Sequence, residues 1–189
     1  MNTEQENELL EAVSKGSQDA FRRLFDLWYK PMCVYAMNYL DSFDDAEDIT
    51  QNILATFGMK YSKERFKGSL RAYLFTSVQY ECVRCLKRQR RSLNMDALLV
   101  EGEQVIFAVP EMETEETYSE EDYRRLMEDI EKLPEQARRI FTLVVLEDKK
   151  YKEVAALLGI SVNTVKTSLA RSFKRLRSSL GLIVTLLLH

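Results

Sequence analysis

Apolar residues recur at intervals of three and four along most of the chain, the period of a helix with one buried face. Phe21, Leu24, Phe25, Trp28, Met32 and Tyr35 form the first such stripe and predict helix over residues 8–40, with Pro31 kinking or restarting it. Ala46, Ile49, Ile53 and Phe57 predict a second helix over 44–59. A basic loop, residues 60–69 with Gly68 inside it, leads to a third helical pattern over 70–91, where Leu74, Val78, Cys82 and Cys85 point to a core. Residues 92–122 lose the period. Val100-Glu101-Gly102-Glu103, Pro110 and the acidic run from Glu111 to Asp122 read as a flexible tether, interrupted by the apolar patch Val105-Ile106-Phe107. The helical period returns at Tyr123. Pro134 then opens a further helix, whose stripe is Ile140, Phe141, Val144 and Val145. The expected fold is all-α, with two small helical domains, residues 1–91 and 123–189, joined by an acidic linker over 92–122.

Composition agrees with this division. Six glycines and three prolines in 189 residues are too few to punctuate a sandwich or barrel, and 46% hydrophobic residues are too many for a disordered chain. The net charge of −3 hides strong blocks. Residues 60–91 carry ten basic and two acidic side chains, and residues 149–189 carry eight and one. Residues 1–59 carry four basic and eleven acidic, and residues 92–122 none and ten. Two basic blocks in helical context are electrostatic footprints for nucleic acid.

Other chemistries find little support. Cys33, Cys82 and Cys85 are too few and too odd in number for a disulfide scaffold. Cys82 and Cys85 lie on one helical face and read as core residues rather than metal ligands, and the one histidine is His189. Neither a metal, a cofactor nor an enzymatic activity is expected. The acidic N-terminus lacks the basic and apolar regions of a signal peptide, and the apolar tail, residues 181–188, is too short to span a membrane. A cytoplasmic protein is expected. The tail is expected to pack on the second domain or to meet a partner.

Residues 151–177 carry the most specific pattern. A short helix, about 152–158, ends at Gly159, which suits a left-handed C-terminal position. Ile160 plugs the turn, Ser161 caps the next helix, and the small Ala155 lets two helices approach. This is the layout of a helix-turn-helix. At 100° per residue, Val165, Leu169, Ser172 and Leu176 share one face of the second helix. Asn163, Lys166, Thr167, Ala170, Lys174 and Arg177 gather opposite, with Arg171 at the edge. Lys166 and Arg171 can donate to phosphates or guanine edges, and Asn163 and Thr167 can reach bases or backbone. An ordinary amphipathic surface helix is the plainer reading.

Two faces of the first domain carry chemistry as well. Asp44, Asp48, Gln51 and Asn52 form a polar face free of cations, either a solvated face or a docking surface for a basic partner. Tyr73, Thr76, Tyr80, Val83, Arg84, Lys87 and Arg91 lie opposite the core side of the third helix. Aromatics interleaved with cations suit single-stranded DNA, and a plain basic helix with exposed tyrosines fits too.

Taken in order, Asp45-Ala46-Glu47-Asp48-Ile49-Thr50-Gln51, Tyr73-Leu74-Phe75-Thr76-Ser77-Val78, Leu133-Pro134, Tyr151-Lys152-Glu153-Val154-Ala155 and Ser161-Val162-Asn163-Thr164-Val165-Lys166 resemble an ECF (extracytoplasmic function) sigma factor, the small two-domain branch of the sigma-70 family. The resemblance implies sigma region 2 over residues 8–91 and region 4 over 123–180. It implies that Asp44, Asp48, Gln51 and Asn52 dock on the β′ clamp helices of core RNA polymerase, while region 4 meets the β flap. It implies that Lys63, Arg65, Lys67, Tyr73, Tyr80, Arg84 and Lys87 open and read the −10 element of promoter DNA. Ser161, Asn163, Lys166, Thr167, Ala170, Arg171 and Lys174 are the implied readers of the −35 element. An anti-sigma protein, often membrane-bound, is the implied regulator. The chain departs from the family at Gly58, Tyr73 and Tyr80, where Trp, Trp and Asn are common, and near Thr167 or Ser168, where Arg is common. A stand-alone helix-turn-helix regulator and an inactive sigma-like decoy are the alternatives, separable by whether core polymerase is needed for specific DNA binding and initiation.

Overall fold

The computed structural model describes residues 3–61, 66–93 and 118–188, and within them every regular element is helical. Helices α1 (Thr3–Ser14), α2 (Gln18–Ala36), α3 (Phe43–Tyr61) and α4 (Leu70–Leu93) form the N-terminal half. Helices α5 (Glu120–Glu131), α6 (Glu135–Phe141), α7 (Tyr151–Leu158), α8 (Val162–Arg175) and α9 (Leu180–Leu188) form the C-terminal half. Among the described residues no helix is long and apolar enough to cross a membrane.

The first predicted helix is divided, but not at Pro31. Gly16 takes φ +79°, with its N–H bonded to Val13 O at 2.9 Å and the Ser17 N–H to Ala12 O at 3.1 Å. That paired arrangement closes α1, and the Ser17 hydroxyl then caps α2 by accepting from Ala20 N. Pro31 lies buried inside α2, which continues through it. Packing on all sides outweighs the one backbone hydrogen bond that proline removes.

Two other boundaries move. Glu120, Glu121 and Asp122, expected in the linker, form the first turn of α5. Ser119 and Asp122 cap it reciprocally, and carboxylates in a first turn oppose the positive end of the helix dipole. Hydrogen bonds donated by the Ser119 hydroxyl and N–H hold the Asp122 carboxyl below its ordinary range. At the other end α4 carries the helix to Leu93. The apolar triplet 105–107 and most of the expected linker lie outside the described residues.

Helices α2, α3 and α4 pack together around Leu24, Trp28, Met32, Leu54, Phe57, Leu74 and Val78, all buried. Cys82 and Cys85 are buried, and burial pushes the Cys82 thiol up to about 12. In the C-terminal half, α6 runs into a π-helical turn, Thr142–Leu146, and packs on α8 with α7 beside it.

The two halves share one apolar core. Phe43, at the start of α3, stacks on Phe173 of α8 at 5.7 Å and meets Tyr151 edge-on at 6.0 Å. The apolar tail, expected to pack on the second domain or to meet a partner, forms α9; it touches α5 but lies chiefly along α2, with Leu182, Ile183 and Val184 buried. An eight-residue run this apolar is stable only under cover, and α2 offers the matching surface.

Candidate nucleic-acid interface

The helix-turn-helix is built by local chemistry. Gly159 takes φ +66°, and Ile160 N bonds Ala155 O at 3.0 Å, which ends α7. Ser161 then accepts from Thr164 N at 3.0 Å and caps α8, which begins at the next residue. Val165, Leu169, Ser172, Phe173 and Leu176 are buried, so the apolar stripe of α8 faces its scaffold as the spacing predicts. Phe173 joins that stripe although the sequence reading passed over it. On the other side, Ser161, Asn163, Thr167, Arg171 and Lys174 are exposed, while Ala170 is half-buried. Asn163, Thr167, Arg171 and Lys174 line a cleft of about 590 Å³ between α8 and the start of α6. Gln136, Ser168 and Arg175 also line it. None of the three was picked out from the sequence. Gln136 precedes the helix-turn-helix by some fifteen residues, and only the packing of α6 on α8 brings it there.

Lys166 is placed differently. Its Nζ lies 2.6 Å from Glu47 Oε2 and 2.8 Å from Asp44 Oδ1, both on α3. Its hydrogen bonds to those two carboxylates raise its pKa above the ordinary lysine value. Glu47 is buried and also accepts from Tyr29 Oη at 2.9 Å. Burial, reinforced by the Glu47 charge, raises the Tyr29 and Tyr151 hydroxyls well above the usual phenol value, so both stay neutral donors. Lys174 and Arg177 meet Asp41 at 3.0 and 3.3 Å. Arg177 also donates to the carbonyls of Met37 and Leu40 beyond the end of α2. Lys30 of α2 pairs with Asp148 at 2.6 Å.

In the N-terminal half, Asp44, Asp48, Gln51 and Asn52 are exposed on α3, as the periodicity predicts. Two of them have intramolecular partners: Asp44 holds Lys166, and Gln51 donates to Tyr29 Oη at 3.2 Å. The faces of α3 are less clean than the pattern suggested, because Glu47 and Thr50 are buried and Ile49 is half-exposed. Tyr80 is 67% exposed. Tyr73 is drawn inward instead, its ring packed against Phe57, Tyr61 and Phe66 at 5.5–6.1 Å. Both tyrosines line a cleft of about 740 Å³ between α3 and α4, with Asn52, Thr56 and Thr76. Lys67, Arg84 and Lys87 are exposed, and Arg84 pairs with Glu81 at 3.3 Å. Lys63 and Arg65 lie outside the described residues. Among the described residues no cluster of metal-ligating side chains occurs.

The family described as "Sigma-70, region 4" matches residues 123–176, the segment from α5 through the helix-turn-helix. Over 169 residues the chain is 27% identical to the ECF RNA polymerase sigma-E factor of Escherichia coli strain K12, covering 87% of this chain and 88% of that one. It is 23% identical over 176 residues to the ECF RNA polymerase sigma factor SigW of Bacillus subtilis, covering 90% and 94%. Over most of its length the chain is thus similar to sigma factors of the ECF branch. A solved structure of CnrH in complex with the cytosolic domain of CnrY aligns over 93% of this chain and 97% of that one, at 20% identity and a TM-score of 0.38. The matched segment includes the whole of α8. Its cleft-side donors are open, and its most buried cation, Lys166, is held by the N-terminal half.

Proposed function

We propose that this chain is the promoter-specificity subunit that directs core RNA polymerase to −35/−10 promoters, acting in the cytoplasm by recognition rather than by catalysis. Residues 1–91 serve as sigma region 2, residues 92–122 as the tether, and residues 123–189 as region 4. The observation that carries the reading is the α8 surface: Asn163, Thr167 and Arg171 stand exposed on a capped helix with its apolar stripe buried, inside the segment that matches region 4. Such a helix offers amide, hydroxyl and guanidinium donors to a major groove.

The rest of the reading assigns work to the N-terminal half. Exposed Asp48, with Asp44, Gln51 and Asn52, forms the acidic face that docks on a basic surface of polymerase. The cleft holding Tyr73 and Tyr80, edged by Lys67, Arg84 and Lys87, receives unpaired bases of the −10 element by stacking, while the cations track phosphates. Lys63 and Arg65 extend that basic edge in sequence. Similarity to ECF sigma factors adds an anti-sigma protein as the inhibitory partner.

Run-off transcription with core polymerase on a promoter library tests the whole. The full chain should yield discrete promoter-dependent transcripts and bind those promoters specifically only with core enzyme. Arg171→Ala should lower −35-dependent transcription at least tenfold with core binding unchanged, about the value of one good base contact. Asp48→Arg should weaken core binding instead. Promoter-specific binding without polymerase would make the chain a stand-alone regulator.

A further inference from the structure

A cavity of about 560 Å³ lies between α2 and the C-terminal half, apart from both clefts assigned to promoter DNA. Its size falls within the roughly 300–1,000 Å³ of small-molecule sites, which favour junctions between structural units. None of its lining residues belongs to the docking or base-reading sets, so the proposed function leaves it without a role.

The floor is apolar: Phe43, Val144, Val145, Leu169 and Phe173 line it and are buried. One wall is aromatic. Phe25 and Tyr29, one turn apart on α2, stack at 5.1 Å with their planes 15° apart. Both line the cavity and both are half-buried, so a planar ring can lie against them. The opposite wall is the loop before α7. Asp148 takes φ +56° there, a left-handed turn that aspartate tolerates, and Lys149 and Lys150 beyond it line the cavity across from α2.

The charges sort themselves by pairing. Of the three acids in the lining, Glu47 holds Lys166 at 2.6 Å and Asp148 holds Lys30 at 2.6 Å. Lys149 is held by Glu147 at 3.1 Å. Arg22 and Lys150 are exposed, and among the described residues neither has a carboxylate partner. Asp26, one turn after Arg22 on α2 and exposed, is the third acid. Two cations therefore remain at the mouth of an aromatic and apolar cavity, with one acid beside them.

We propose that this cavity binds a mononucleotide, its base laid on the Phe25–Tyr29 stack and its phosphate monoester held by Arg22 and Lys150. The apolar floor shelters the base from water. Stacking on a ring tolerates every base, so the site takes nucleotides as a class. A guanidinium fork and an ammonium point charge together match a phosphomonoester dianion. The site is independent of the promoter-recognition reading, since it shares no residue with it.

Titration calorimetry on the full chain, without polymerase or DNA, tests this with GMP and AMP, and with guanosine and inorganic phosphate as the two halves of the ligand. The expected result is saturable, single-site binding of both nucleotides, with guanosine and phosphate each at least about tenfold weaker. Arg22→Gln, Lys150→Gln and Phe25→Leu should each weaken GMP about tenfold, the loss of one charged hydrogen bond or one stacked ring. Asp26→Asn should tighten GMP, because it removes an acid from beside the phosphate. Arg22, Asp26 and Lys150 are exposed, so their variants decide the matter even if Phe25→Leu does not fold. Arg84→Gln and Arg171→Gln, on the surfaces assigned to DNA, should leave GMP affinity as it is. Absence of saturable binding for both nucleotides, or binding that Arg22→Gln and Lys150→Gln leave unchanged, would overturn the site. Loss of binding in Arg84→Gln or Arg171→Gln alone would place the nucleotide on a DNA-binding face and overturn it too.

Discussion

The ring of Phe21 stands where a β-carbon on Gly58 would go, 2.4 Å from Cε2 and 2.8 Å from Cζ. This explains a glycine near the end of α3: Phe21 on α2 fills the space that a side chain there would need. Overpacking of this kind costs about 1–3 kcal/mol, against about 1 kcal/mol gained when alanine replaces a helical glycine. Gly58→Ala should therefore lower the urea-unfolding free energy by about 1 kcal/mol, and adding Phe21→Leu should recover it. Additive losses in that double-mutant cycle would show that the contact does not set the residue. The sequence marked Gly58 as unusual, but its cause is a neighbour 37 positions away and was not legible there.

At the scale of elements, the turn between α7 and α8 was almost fully legible. Gly159, Ile160 and Ser161 each play the part their chemistry suggests, because caps and turns are decided within a few residues. Alanine at φ +66° costs about 1–2 kcal/mol, and asparagine tolerates that region better. Gly159→Ala should lower the thermal midpoint and Gly159→Asn should lower it less; equal losses would mean that backbone conformation is not what fixes the turn. The same glycine-then-serine signal at Gly16 and Ser17 was present and passed over in favour of Pro31. Local rules rate a mid-helix proline as a break, but burial inside the α2 core overrides the rule. Similarly, the acidic residues of the first α5 turn read as tether by charge, although Ser119 and Asp122 carry a capping pattern.

The whole molecule is closed by charge as well as by the shared apolar core, and pH should act on the charged part. Lys166 has a raised pKa, so its contribution is complete below the ordinary lysine value and disappears as pH climbs through the raised one. Asp41 has a lowered pKa, chiefly through its hydrogen bond from Lys174. Its contribution is complete above the ordinary aspartate value and disappears as pH falls through the lowered one. The closed form should hold steady across the neutral range and expand at both extremes, with scattering as the measurement. A radius unchanged from neutral to strongly alkaline pH would deny Lys166 any part in closure. Added salt should loosen the exposed Asp41 pairs before the sheltered Glu47 pair.

What the sequence determined by itself is what short-range physics controls: the helices, their caps, the helix-turn-helix, the apolar stripe of α8 and the segregation of charge into blocks. Each follows from residues within a turn or two of one another. Only the tertiary structure decided that α9 lies along α2, that Phe43 enters the C-terminal half, and that Lys166 spends its charge on Glu47 and Asp44. Residues 44 and 166 lie 122 positions apart, and no periodicity reaches that far. Opposite blocks of charge predict attraction without naming partners, because a Coulomb field falls off smoothly and only packing selects which acid meets which cation.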